Sequence, residues 1–322
     1  MAGQAEKLNP APGYRGACRC TFQSGSDATV STQTKARATP RVPSLCGNRL
    51  ALRLLVEQHG NGSVLPHILS DVKDRVRASG SLSLFLDFDG TLVPILADPS
   101  APRLDPDTAE TLRLLSSRDF LSTTIISGRA VEDLYSRIRL PGLIYAGNHG
   151  LEIFGRNLRF VEPVASSRRD QLERLCEGLS EQLQSVAGAF VEFKGLTAAV
   201  HYRLAAPGEF TDIQRSVYTA VARDGALFRV NPGRKVFEIV PRTDWHKGEA
   251  VRWINCQLGG KETSSIYLGD DTSDEAAFSV LQDSVTIRVG PARATCARYH
   301  LPDPAAVHEF LLWLTLQEPA RA

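Results

Sequence analysis

Leu82-Ser83-Leu84-Phe85-Leu86-Asp87-Phe88-Asp89-Gly90-Thr91-Leu92 runs as a short apolar segment into two carboxylates, spaced two residues apart, and then a glycine turn. An apolar run of this length ended by a turn signal reads as a buried parallel strand, and open α/β sheets gather their chemistry at the carboxyl ends of such strands. One aspartate there can attack phosphorus while the other handles a proton. Asp-Gly is also a common turn pair, so these residues alone leave a simple capped turn as the alternative.

Residues 264–275, Ser-Ser-Ile-Tyr-Leu-Gly-Asp-Asp-Thr-Ser-Asp-Glu, repeat the logic with a second apolar strand, a glycine and the acidic group Asp270, Asp271 and Asp274. Two acidic strand ends call for a cation. Mg²⁺ takes oxygen ligands from one or two carboxylates, with substrate phosphate and water completing its shell. Between the two ends, Ile125-Ile126-Ser127-Gly128-Arg129 delivers a hydroxyl from a β-branched run, and Asp244-Trp245-His246-Lys247-Gly248 sets a lysine at a helix start. Either group can bind a phosphoryl oxygen, and a helix N-terminus adds backbone N–H groups. Taken singly, Ser127 reads more readily as an ordinary cap and Lys247 as a solvated surface charge; taken in order with the aspartates, they read as parts of one site.

From residue 81 the pattern alternates: strand 82–87, helix 106–118 with Asp105 as N-cap and Pro106 at its first position, strand 122–127, helix 130–138 and strand 142–146. It resumes with helix 247–258, strand 264–269, helix 273–281, strand 284–289 and a helix near 303–316. This predicts an α/β fold with a Rossmann-like parallel-sheet core split into 81–152 and 242–316, the core that the resemblance given below implies to be a hydrolase. The segment 153–241 is the expected inserted α+β cap domain. In it, helix 166–186 carries Leu172, Leu175, Leu179, Leu183 and Val186 on one face, followed by strands near 189–194 and 197–203. Helix 210–223 and strands near 226–230 and 235–240 form a second such unit, so helices cover one face of an antiparallel sheet. On the other face, alternation pairs Glu192 with Lys194, His201 with Arg203 and Arg234 with Glu238. Polar pairs of this kind suit sugar hydroxyls, although a solvated sheet face with ion pairs is the alternative.

Four motifs in order, Asp87-Phe88-Asp89-Gly90-Thr91, Ser127, Lys247 and Gly269-Asp270-Asp271 with Asp274, resemble those of the haloacid dehalogenase superfamily of phosphatases. Within it the chain resembles the trehalose-6-phosphate phosphatase family, through Ser127-Gly128-Arg129, Gly147-Asn148-His149-Gly150, His201-Tyr202-Arg203 and Gly269-Asp270-Asp271-Thr272-Ser273-Asp274-Glu275. The resemblance covers residues 81–316. It implies hydrolysis of trehalose 6-phosphate, with Asp87 as nucleophile, Asp89 as acid and base, and Ser127 and Lys247 on the phosphoryl group. It further implies Mg²⁺ held by the Asp87 carboxylate, the Asp89 carbonyl and Asp270, with Asp271 or Asp274 in or near its shell. Substrate contacts are implied at Gly128, Arg129, Asn148 and His149, and from the cap at Glu192, Lys194, Arg203, Arg234 and Glu238. The sequence departs from the family pattern at Ser273, where threonine is usual, at Ala276, where an acid is common, and at Arg234, where lysine is usual. Sucrose 6-phosphate, a mannosylglycerate phosphate and a catalytically silent sugar-phosphate sensor stand as alternatives.

With 322 residues, 43% of them hydrophobic, the chain can bury a sizeable core. A net charge of +1 gives no footprint for nucleic acid, and no apolar run is long enough to imply a membrane span. Six cysteines, at 18, 20, 46, 176, 256 and 296, form no CxxC pair, so a reducing, cytoplasmic setting is expected. The partner expectations are a small sugar phosphate, a functional link to a trehalose-6-phosphate synthase, and a monomeric state. Residues 1–60 are rich in Ser, Thr, Pro and Gly without hydrophobic period and read as a disordered extension, with organellar targeting and an upstream-extended reading frame as alternatives. Residues 61–80 hold Val64, Leu65, Ile68, Leu69, Val72 and Val76 at helical spacing and predict a leading helix.

Overall fold

The computed structural model describes residues 65–319 apart from 80, 97, 99, 224 and 260–263. The extension expected over 1–60 lies outside the described residues, as do 61–64 of the leading segment. Helix α1 (Leu65–Ser79) follows the predicted period, burying Ile68, Leu69, Val72 and Val76 against the main core.

Among the described residues the main sheet has eight strands. In spatial order they are β12 (Tyr299–Leu301), β11 (Val285–Val289), β10 (Ser265–Gly269), β1 (Leu82–Asp87), β2 (Leu121–Ile126), β3 (Ile144–Gly147), β4 (Glu152–Gly155) and β5 (Leu158–Val161). All neighbours from β12 to β3 pair in parallel, while β4 and β5 add antiparallel edges. Parallel strands are buried on both faces, and the side chains divide accordingly. Leu82, Leu84 and Leu86 of β1 join Ile266 and Leu268 of β10 in one apolar layer, and Phe85 and Tyr267 point into the other. The first layer is roofed by α1, α2 (Pro106–Ser116), α3 (Val131–Ile138) and α9 (Pro304–Leu314); the second by α7 (Lys247–Gln257) and α8 (Thr272–Val280).

Capping chemistry sets several helix starts. Asp105 accepts from the backbone N–H groups of Asp107 and Thr108 ahead of Pro106, and Asp303 accepts from Ala306 ahead of Pro304.

A second, four-stranded antiparallel sheet lies within the segment between β5 and α7, in the order β6 (Phe190–Phe193), β7 (Ala198–His201), β9 (Val236–Pro241), β8 (Phe228–Gly233). Helices α5 (Arg169–Leu183), preceded by the single turn α4 (Pro163–Ser167), and α6 (Phe210–Arg223) cover one face of it. Leu172, Leu175, Leu179 and Leu183 pack there with Val200, Val217, Phe237 and Ile239. The α+β insertion therefore has the predicted layers, with one change of boundary. Residues 152–161, assigned by the sequence to the insertion from 153, extend the main sheet, β4 pairing with β3 and β5 with β4. The turn at Arg156 and Asn157, both in left-handed conformation, joins two strands of only four residues each, too short for their pattern to say which sheet they enter. The predicted helix 166–186 likewise divides at Arg168, whose backbone is non-helical.

Candidate active site

The alternation of β1 continues past its end. Phe88 is fully buried in the core, so Asp87 and Asp89 on either side of it turn the opposite way, toward the carboxyl edge of the sheet. Gly90 follows with φ +87°, and a Cβ there would lie 2.3 Å from the Asp270 carboxyl carbon. Gly269 is constrained in the same manner, since a Cβ would sit 2.3 Å from the Asp274 carboxyl carbon. Side-chain-free backbone at both strand ends leaves the space that the acidic groups occupy.

Lys247 is the first residue of α7, behind His246, whose Nδ1 accepts from the N–H groups of Gly248 and Glu249. Its ammonium is buried and donates to Asp87 Oδ1 at 2.6 Å and to Asp274 Oδ1 at 2.7 Å. Asp274 is tied further. Its Oδ1 accepts from the Tyr267 hydroxyl at 2.7 Å, and its Oδ2 accepts from the Asp271 N–H at 2.9 Å as part of the capping box that opens α8.

Carboxylate oxygens of Asp87, Asp270 and Asp274 lie within 4.8 Å of one another, all three buried. Burial, with repulsion from Asp274 and Asp270, pushes the Asp87 carboxyl well above its ordinary range despite Lys247. Burial and the neighbouring Asp274 and Asp271 push Asp270 up to about 7. Burial disfavours the Lys247 ammonium, but Asp274 and Asp87 outweigh it and hold its pKa well above the usual value. Three carboxylates against one ammonium leave uncompensated negative charge in a buried, all-oxygen setting, and these residues fit a hard divalent cation. Asp271 is exposed and Asp89 is engaged elsewhere, so neither joins that cluster.

Asp89 accepts a two-pronged ion pair from Arg129, Nε at 2.6 Å and Nη2 at 2.7 Å, and Arg129 Nη1 reaches Asp133 at 3.0 Å. Asp133 also accepts from Arg137 at 2.8 Å. Ser127 is buried at the tip of β2 and lines the same cleft as Asp87 and Lys247, a space of about 780 Å³.

The second sheet closes over this edge. Lys194 Nζ lies 3.3 Å from the Gly128 carbonyl, and His149 Nε2 lies 3.3 Å from Glu238 Oε2. Burial raises the Glu238 carboxyl, yet His149, Lys194 and Lys247 outweigh it and hold it at about 2. Asn148 lines the cleft, but its amide is committed: it donates to Glu152 and to the Lys194 carbonyl and accepts from Thr197. It therefore latches the two sheets together. Glu192 accepts from His201 Nε2 at 2.8 Å. Arg234 stands in the tight turn between β8 and β9 instead of on a strand, and its carbonyl accepts from Arg203. Ser273 and Ala276, the two departures in the acidic motif, face the cleft without taking part in the Lys247 network.

Tyr267, Arg288 and Arg293 were not singled out by the sequence. Arg288 is fully buried and donates to the Asp270 carbonyl and to Glu275, while Arg293 donates to the same carbonyl at 3.0 Å. The signal for Arg288 was available, since a charge in the middle of the buried strand Val285–Val289 requires partners. Tyr267 gave none, because its ring fits the apolar layer and only its hydroxyl reaches the site.

A family model described as trehalose-phosphatase matches residues 85–304. The chain is similar to a trehalose-phosphate phosphatase of Mycobacterium tuberculosis, 38% identical over 237 residues that make up 71% of this chain and 60% of that protein. It is 34% identical over 277 residues to a probable trehalose-phosphate phosphatase of Oryza sativa, covering 76% of this chain and 72% of the other. The matched region thus spans about 60% of the length of the mycobacterial relative. The fold is that of the C-terminal domain of a trehalose-6-phosphate phosphatase from C. albicans, with a TM-score of 0.66, 24% identity, and coverage of 79% of this chain and 97% of that one. On the match of its family model and of these relatives, the chain belongs to the trehalose-phosphatase family.

Proposed function

We propose that this protein is a magnesium-dependent phosphatase that hydrolyses trehalose 6-phosphate to trehalose and phosphate through an aspartyl-phosphate on Asp87. The observation that carries this reading is the meeting of Asp87, Asp270, Asp274 and Lys247 beneath the polar face of the second sheet, in one cleft. Acidic groups alone hold a cation; set beside a buried lysine, a serine and a sugar-sized polar face, they describe a phosphomonoesterase.

In the first step an Asp87 oxygen bonds to phosphorus and the bond from phosphorus to the sugar oxygen breaks. Asp89 delivers a proton to that departing oxygen. In the second step water attacks the same phosphorus, Asp89 takes its proton, and the Asp87–phosphorus linkage breaks to free phosphate. Arg129 engages both Asp89 oxygens, so either proton transfer requires that two-pronged contact to open, with Asp133 retaining the guanidinium. Lys247 and Ser127 offset charge on the phosphoryl oxygens, and Asp274 holds Lys247 in place. Asp87 and Asp270 would hold the magnesium ion, which would supply further charge neutralisation at the phosphoryl group. Glu192, Lys194 and Glu238 contact sugar hydroxyls and act as the cap that excludes bulk water.

A panel of sugar phosphates with phosphate-release detection tests the reading. Trehalose 6-phosphate is expected to give the highest kcat/KM. A clear preference for sucrose 6-phosphate or a mannosylglycerate phosphate replaces the substrate, and no release from any member overturns the enzymatic reading.

A further inference from the structure

Strand β6 presents two different faces. Val191 and Phe193 pack toward the helix-covered layer, whereas Phe190, Glu192 and Lys194, just past the strand end, line the cleft. Lys194 marks the inner end through its contact with Gly128, beside Ser127. At a rise of about 3.3 Å per residue, Phe190 lies about 13 Å farther out along the same face. Two sugar rings joined end to end span a comparable length.

Phe190 is the β-register partner of His201, and the two rings stack with centroids 4.6 Å apart and planes 18° from parallel. His201 is fixed in turn by its bond to Glu192. One face of Phe190 is thus covered by a held ring, and the side chain is still 46% exposed at the cleft. Leu204, a further exposed apolar residue of the cleft, closes its carbonyl against Gly188, two residues upstream of Phe190. A large apolar side chain left open at this point makes an aromatic platform. The C–H face of a pyranose carries partial positive charge and complements the negative face of an aromatic ring.

We propose that Phe190, stacked on His201, is a specificity-determining residue that receives the sugar ring distal to the phosphate. The inference rests on the phosphatase reading above and adds a residue to which that reading gives no role.

The test compares wild type, F190A and F190W with trehalose 6-phosphate, using inorganic phosphate as a competitive probe of the inner site. F190A is expected to raise KM between about two- and tenfold, the range for loss of one aromatic contact, with the inhibition constant of phosphate unchanged. F190W restores KM. An unchanged KM in F190A, a parallel weakening of phosphate inhibition, or failure of the tryptophan to restore KM overturns the proposal. Wild-type enzyme inactive on trehalose 6-phosphate contradicts the proposed function instead. In that event the same comparison on the best disaccharide phosphate of the panel decides, and a monosaccharide phosphate as best substrate overturns the platform.

Discussion

Gly90 shows how narrowly single positions are constrained. Its positive φ disfavours any side chain, and the Asp270 carboxyl occupies the place a Cβ would take. G90A should therefore cost about 1–3 kcal/mol of stability through backbone strain and displace Asp270. A misplacement on the order of 1 Å at a reacting group lowers turnover about a hundredfold. Phosphate release and a thermal midpoint measured together check this; a folded G90A with wild-type rate shows that the space above Gly90 is unimportant. The Asp-Phe-Asp-Gly run made this legible in advance, because alternation alone puts Phe88 in the core and the two carboxylates at the edge. What the residues could not reveal is how Asp89 is engaged. Its pairing with Arg129, forty positions along the chain, depends on the packing of β1 beside β2 and on the Asp133 carboxylate one helical turn beyond Arg129.

Strand β11 carries the least anticipated part of the site. Arg288 stands in a β-branched run, takes a wholly buried position and donates to the Asp270 carbonyl. In the proposed site such an outer contact would orient Asp270 toward the metal. R288M should raise the magnesium concentration for half-maximal activity about 10- to 100-fold. A magnesium titration of activity reads this directly, and a variant that loses only thermal stability shows a packing role alone. The elements themselves were legible wherever period and caps agreed: Asp105 with Pro106 opens α2, and the acidic motif opens α8 through its own capping box. The misplaced boundary lies at β4 and β5, short half-exposed strands with turn residues between them, where pairing with β3 decided the outcome and local pattern did not.

The two sheets are joined by polar contacts, Asn148 to Lys194 and Thr197, Lys194 to Gly128, and His149 to Glu238, beside a buried apolar cluster of Leu151, Ala165 and Leu196. Glu238 is a titrating member of this joint with a strongly displaced pKa. Its folded-state value of about 2 lies below the ordinary 4.5, so it contributes stability that is present above 4.5 and lost as pH falls toward 2. Wild type should exceed E238Q in thermal midpoint at pH 6, with the gap closing as pH drops through that window; a gap independent of pH removes the ion pair from the explanation. Such long-range joints were invisible in the sequence, although the polar face of the insertion was not, since Glu192, Lys194 and Glu238 follow strand alternation. In the proposed mechanism the chemistry depends on the meeting of Asp87, Asp270, Asp274 and Lys247. Phosphate release from trehalose 6-phosphate by wild type and D87N, with magnesium and after chelation, tests it most directly. Wild-type activity should vanish on chelation and return with magnesium, while folded D87N falls by at least about a thousandfold. A D87N enzyme that keeps most of the magnesium-dependent rate contradicts the assignment of Asp87 as nucleophile.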